Sequence, residues 1–152
     1  MVLALSLLVA LPVPYVPQPK DGCGAASLTM VLRYWKQPAD VDAIARSLVD
    51  AELHGIRGSL LESFARERGV TAIAYKGDMA QLHDYLARGR PLIVAWKLKK
   101  GYHNVVVVGA DEAAVTVHDP ALGPSRALEA AEFERRWKGA GFWTLLVLPK
   151  RP

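Results

Sequence analysis

The sequence predicts an α+β domain. Up to about residue 90 the chain is dominated by helix-forming stretches with one apolar face, and from Pro91 onward by β-rich runs such as PLIVAWKL and HNVVVVG. Two of these runs, His103–Gly109 and Ala113–Asp119, are separated only by a short turn, so the sheet is antiparallel there. A chain of 152 residues fits one domain with a sizeable core, and 51% apolar residues argue against disorder. The net charge is +4, with lysines and arginines scattered. Without a basic stripe interleaved with aromatics, nucleic acid is excluded as a partner. One cysteine excludes an internal disulfide or a Cys-rich zinc site. No HExxH, paired-Cys or Gly-rich phosphate loop occurs, so no metal or cofactor is implied.

The first eleven residues, MVLALSLLVAL, form an apolar run of the length of a signal's hydrophobic region, too short to span a membrane. Residues 1–11 are read as a signal-like segment, with a buried N-terminal strand as the other reading; the domain covers 12–152. If the segment is a signal, the mature chain begins near Leu11 and is exported, periplasmic or membrane-associated; otherwise it is cytoplasmic.

The turn-prone run Pro17–Gly22 leads into a helix that begins at Cys23 and carries Ala25, Ala26, Leu28, Val31 and Trp35. Pro38 breaks the pattern, and Asp40 caps a second helix from Val41 to about Leu53. His54–Gly58 is a loop. Ser59 with Glu62 has the spacing of a capping box and opens a helix that ends at Gly69. Val70–Tyr75 is a strand, and Asp78 with Gln81 starts a helix that Gly89 stops. The second half supplies strands Pro91–Leu98, His103–Gly109 and Ala113–Asp119, with Asp111–Glu112 as the turn. A Gly/Pro loop at Pro120–Pro124, a short helix around Ala130–Trp137 and a strand Phe142–Pro149 complete the chain.

A thiol in the first turn of a helix meets unpaired backbone N–H groups and the positive end of the macrodipole, which lower its pKa. That makes Cys23 a candidate nucleophile, and Gly22 and Gly24 leave room for a substrate backbone beside it. A free cysteine is also a common small core residue, so the nucleophilic reading needs a base. His103, at the mouth of a buried strand, is the candidate, and Asp119 ends the following strand at the same edge of the hairpin. Cys23 would then attack, His103 move the proton and Asp119 orient the imidazole, with Gln18 and the Cys23 N–H as oxyanion donors. Each also has an ordinary reading: a capping histidine, an Asp–Pro turn, a loop glutamine. Strand alternation adds a condition. A two-residue turn at Asp111–Glu112 would put His103 and Asp119 on opposite faces, so the triad requires a three-residue loop such as Ala110–Glu112, or a β-bulge. His118 should then face away from Asp119, on the side of Asn104.

The run Pro14–Gln18 leading into Cys23–Leu28 resembles the amino-terminal motif of the bacteriocin-processing peptidase family. His103 opening a valine-rich strand and Asp119–Pro120 followed by Gly123 resemble its other two motifs. The resemblance covers about Val13 to Leu148. It implies a papain-like fold, with N-terminal helices (the nucleophile starting the first) on a C-terminal antiparallel sheet. It also implies a cysteine peptidase that cleaves leader peptides, commonly after a double glycine, with Cys23, His103, Asp119 and Gln18 as its site. Three features depart from the family pattern: the Gln–Cys interval is one residue shorter, Asn104 stands where an aromatic is frequent, and transporter regions are absent. The expectation is a free-standing member with a peptide or protein substrate and a membrane exporter as a candidate partner. The alternatives are an acyltransferase or amidase on the same fold, or a non-catalytic peptide-binding module linked to export.

Overall fold

The computed structural model describes residues 10–150. Its elements, in chain order, are α1 Cys23–Tyr34, α2 Val41–Leu48, α3 Gly58–Glu67, β1 Thr71–Lys76, α4 Met79–Ala87 and β2 Leu92–Lys97. They continue with β3 Tyr102–Ala110, β4 Ala114–Asp119, β5 Gly123–Glu129, α5 Ala130–Gly139 and β6 Trp143–Leu148. The strands form one antiparallel sheet in the order β1-β6-β2-β3-β4-β5. This is the α+β architecture expected, with both faces of the sheet covered. α1, α2 and α3 pack one face around Leu28, Leu32, Ile44 and Leu61, with Val106 and Val108 of β3. α4 and α5 cover the other with Leu82, Phe133 and Trp137, against Val105 and Val107. The central strand β2 therefore reads LIVAW without polar alternation, every residue being buried. Fully buried side chains such as Leu28, Phe133 and Trp137 each contribute about 2 kcal/mol or more by leaving water.

α1 is the most deeply placed helix, with every residue from Gly24 to Leu32 buried. Its far end is pinned to β6 by the Trp35 indole N–H, which donates to the Val147 carbonyl (2.7 Å). An N-terminal strap runs past β3 and the end of β4. The Leu11 N–H donates to Val108 O (2.8 Å), Val13 and Val16 are buried, and the Gln18 N–H donates to Pro120 O (2.9 Å). Residues 1–9 of the signal-like segment lie outside the described residues. Among the described residues no helix is long and apolar enough to cross a membrane.

Four elements differ from the sequence reading. α2 stops at Leu48 rather than near Leu53, because the Asp50 carboxylate accepts from the Glu52 and Leu53 N–H groups and bends the chain into a bridge with Gly55. α3 has no capping box: it starts at Gly58, and Glu62 turns to the Ala74 N–H of β1 and the Arg66 guanidinium. The hairpin tip is Glu112–Ala113, not Asp111–Glu112, since the Asp111 N–H bonds to Ala114 O and its carboxylate holds the Ala113 and Ala114 N–H groups. The segment read as a loop from Pro120 opens into a sixth strand, β5. It is an exposed edge strand bearing Pro124, Arg126 and Glu129, so neither burial nor alternation marks it.

Candidate active site

Cys23 is the first residue of α1. The turn before it is tight: the Gly22 N–H donates to Pro19 O (2.9 Å), and a Cβ on Gly22 would sit 2.7 Å from the Pro19 ring. Only glycine allows this approach, which delivers the chain from Gln18 to the helix start within five residues. Cys23 is partly exposed, at one wall of a cleft of about 650 Å³. Ile56, Arg57, Lys100, Tyr102 and Trp143 also line the cleft.

β3 and β4 carry the other two groups. Val106 pairs with His118 and Val107 with Val117, but Gly109 pairs with Thr116, so Val108 is an extra residue in the ladder. This bulge, beside a two-residue tip, is what lets His103 and Asp119 share a face. They are not directly opposed: continuing the register puts Asp119 across from Val105, two residues along from His103. The diagonal is bridged by the side chains, with His103 Nε2 2.8 Å from Asp119 Oδ1. Both residues are buried, His103 at 7% exposure and Asp119 at 2%. The same carboxylate oxygen accepts the Ala121 and Leu122 N–H groups at 2.9 and 3.3 Å. It remains an anion and the acceptor, so Nε2 carries the hydrogen and Nδ1 is left for the thiol.

The electrostatics follow from this packing. Burial pushes the Cys23 thiol up, but the bond with His103, the Asn104 N–H and the imidazolium charge bring it below its ordinary value. Burial acts on His103 in the opposite sense and is outweighed by the Asp119 and Cys23 bonds, which raise it to about 9. Asp119 is held below its ordinary value: burial raises it, and the His103 bond with the two N–H donors more than offsets that. The arrangement favours a thiolate–imidazolium pair backed by a carboxylate, a pairing with the chemistry to support acyl transfer.

Gln18 lies on the strap, and its Oε1 is buried without a hydrogen-bond partner. Sequence reasoning missed three neighbours. Tyr15 donates its hydroxyl to Asp119 O (2.9 Å), tying the strap to the carboxylate's own backbone; it sits inside the Pro14–Gln18 motif. Trp96 is directly opposite His103 on β2, its ring 6.0 Å from the imidazole, and reads in sequence as plain core. Asn104 touches the sulfur from the other side, its N–H 3.5 Å from Sγ. His118 does face away, as expected: its Nδ1 accepts the Ser125 N–H (3.0 Å), so Nε2 carries the hydrogen and donates to Val13 O (2.8 Å). His54 meets Asp21 at 3.4 Å on the surface.

Comparisons with known proteins bear on the family and the fold. Residues 10–144 match the model of the Peptidase_C39 like family. The chain is 31% identical over 127 residues to "Probable functional amyloid protease FapD" of Pseudomonas aeruginosa, across 79% of this chain and 54% of that protein. It thus spans about half the length of that relative. Among solved structures it is similar to a double glycine motif protease from an AMS/PCAT transporter in complex with the leader peptide. There the TM-score is 0.76 and the identity 26%, over 93% of this chain and 94% of that one. The peptidase domain of Streptococcus ComA has a TM-score of 0.77 at 23% identity, over 91% of this chain and 99% of that one, a likeness of fold.

Proposed function

The chain belongs to the Peptidase_C39 like family and is a cysteine peptidase, and on that premise we propose that it cleaves a peptide or protein through Cys23, His103 and Asp119. In this reading His103 Nδ1 takes the thiol proton and the sulfur attacks the scissile carbonyl carbon. The oxyanion that forms is held by the Cys23 N–H and the Gln18 side-chain amide. His103 then passes its proton to the leaving amine as the C–N bond breaks, leaving a thioester. Water, deprotonated by the same imidazole, releases the acid and regenerates the thiol. Asp119 keeps the imidazole in one tautomer throughout.

The observation that carries this reading is the buried 2.8 Å contact between His103 and Asp119, with His103 in turn bonded to Cys23, which lines the cleft. A structural histidine would not need a carboxylate already served by two backbone donors. The leader-peptide complex of the related transporter protease supports a peptide as the substrate class and an exporter as the protein's partner.

The test is alkylation of Cys23 across a pH series, with His103→Ala alongside, and turnover of peptides spanning a double glycine against scrambled versions. The expected result is a thiol that ionises below its ordinary range in the wild type and returns to it in His103→Ala, with cleavage lost in Cys23→Ala. A thiol of ordinary pKa in both proteins would overturn the proposal.

A further inference from the structure

We infer that Asn104 sets the resting protonation state of the nucleophile, its side-chain carbonyl oxygen receiving the Cys23 thiol hydrogen and holding back the thiolate. The inference rests on the proposed roles of Cys23 and His103 and adds a second, opposed influence on the same sulfur.

Asn104 follows His103 on β3, so its side chain points to the face on which α1 lies. There Asn104 Oδ1 is 3.9 Å from Cys23 Sγ, within reach of a sulfur hydrogen bond. The orientation of the amide is fixed by its other end. Asn104 Nδ2 donates to Val94 O at 3.5 Å, and the flipped amide would set two carbonyl oxygens against each other. Gly24 leaves the room this side chain occupies, since a Cβ there would lie 3.2 Å from Oδ1. Gly24 is thus needed for the Asn104 side chain as well as for access to the sulfur.

A carbonyl oxygen accepts from S–H and repels S⁻, so its contact stabilises the thiol form alone. The backbone of the same residue acts in the opposite direction, its N–H donating to Sγ at 3.5 Å. One residue therefore seats the sulfur and opposes its ionisation. The other ionisable groups around the thiol favour the thiolate or are neutral: His103 with Asp119 behind it, and Arg57, Lys100 and His54 along the cleft, His54 being paired with Asp21. For activation the proton must leave the line to Oδ1 and pass to His103 Nδ1. No other reactant takes part.

The experiment is the pH dependence of iodoacetamide labelling of the full chain, for wild type, Asn104→Leu, Asn104→Asp and His103→Ala, each with a thermal melt. Leucine has similar volume and lacks the acceptor. Its ionisation midpoint should fall, and labelling one pH unit below the wild-type midpoint should rise threefold or more; a full unit corresponds to tenfold in the ionisation constant. Asn104→Asp keeps the oxygen and adds a charge beside the sulfur, so its midpoint should rise. An unchanged or raised midpoint in Asn104→Leu overturns the inference, a rise meaning that the NH₂ group faces the sulfur. If Asn104→Leu does not fold, Asn104→Asp decides, and an unchanged midpoint there overturns it. His103→Ala separates the two levels. If it leaves the midpoint where it was, the proposed catalytic pair fails; if it raises the midpoint while Asn104→Leu leaves it unmoved, Asn104 alone is dismissed.

Discussion

Burial taken alone would leave Cys23 a protonated thiol and His103 a neutral imidazole. Their contact reverses both outcomes, and the reversal has a pH signature. In the proposed mechanism turnover needs the thiolate and the imidazolium together, the second to protonate the leaving amine. We expect a bell whose acid limb falls below the ordinary thiol range and whose alkaline limb lies near 9, where His103 loses its proton. Asp119→Asn removes the anion that raises His103, so the alkaline limb should move down and turnover should drop by about ten-thousandfold. The stability sign is separate. A group raised on folding contributes fully below its unfolded value of 6.5 and loses that contribution as pH rises through about 9. The difference in urea midpoint between wild type and Asp119→Asn should therefore shrink across that window. Gln18→Ala should slow acylation about a hundredfold with an unchanged melting temperature, as read in a single-turnover burst. At this scale Cys23, His103, Asp119 and Gln18 are legible because each sits in a short segment with its own local logic: a helix start, a strand mouth, an Asp–Pro turn, a loop before the helix. Tyr15 and Asn104 are not. What makes them matter is a partner 104 or 81 residues away, and neither residue type announces it.

The element that decides the site is the β3–β4 hairpin. Alternation of side chains along a strand makes the need for one extra residue derivable from the sequence, and the structure supplies it at Val108. Where the bulge falls is not derivable, since four consecutive valines are interchangeable by type and only packing on α1 selects one of them. The edge strand β5 was illegible for a related reason: it buries almost nothing, so it leaves no hydrophobic period. α3 lost its sequence-level cap because Glu62 has a better use across the interface with β1. Deleting Val108 should straighten β3 and, because Val107 would still pair with Val117 and Val106 with His118, leave His103 and Asp119 on one face with turnover retained. The melting temperature should nevertheless fall, since Val108 is fully buried and its carbonyl holds the Leu11 N–H. Retention of the His103–Asp119 hydrogen-bonded proton resonance, with the sheet signal kept in circular dichroism, is the measurement that checks it.

The whole molecule divides its site between distant parts of the chain. His103 and Asp119 lie on one hairpin and meet across sixteen positions, whereas Cys23 meets β3 only across eighty-one. That division was visible in the order of the motifs; the closeness of the two halves was not, because it depends on how α1 is laid across the sheet. In urea, the ionisation midpoint of Cys23 should return to its ordinary value at the concentration where circular dichroism reports global unfolding, and not before. A thiol that relaxes earlier would mean that the helix start separates from the hairpin while the sheet stays intact. The wide spacing also orders events in time. Contacts between distant segments form late in folding, after the local ones. During synthesis the helix bearing the sulfur leaves the ribosome long before β3 and β4 exist, so for that interval the thiol has no base beside it. A nascent copy therefore carries a cysteine without its partners, and the candidate site exists only once β3 and β4 have folded against α1.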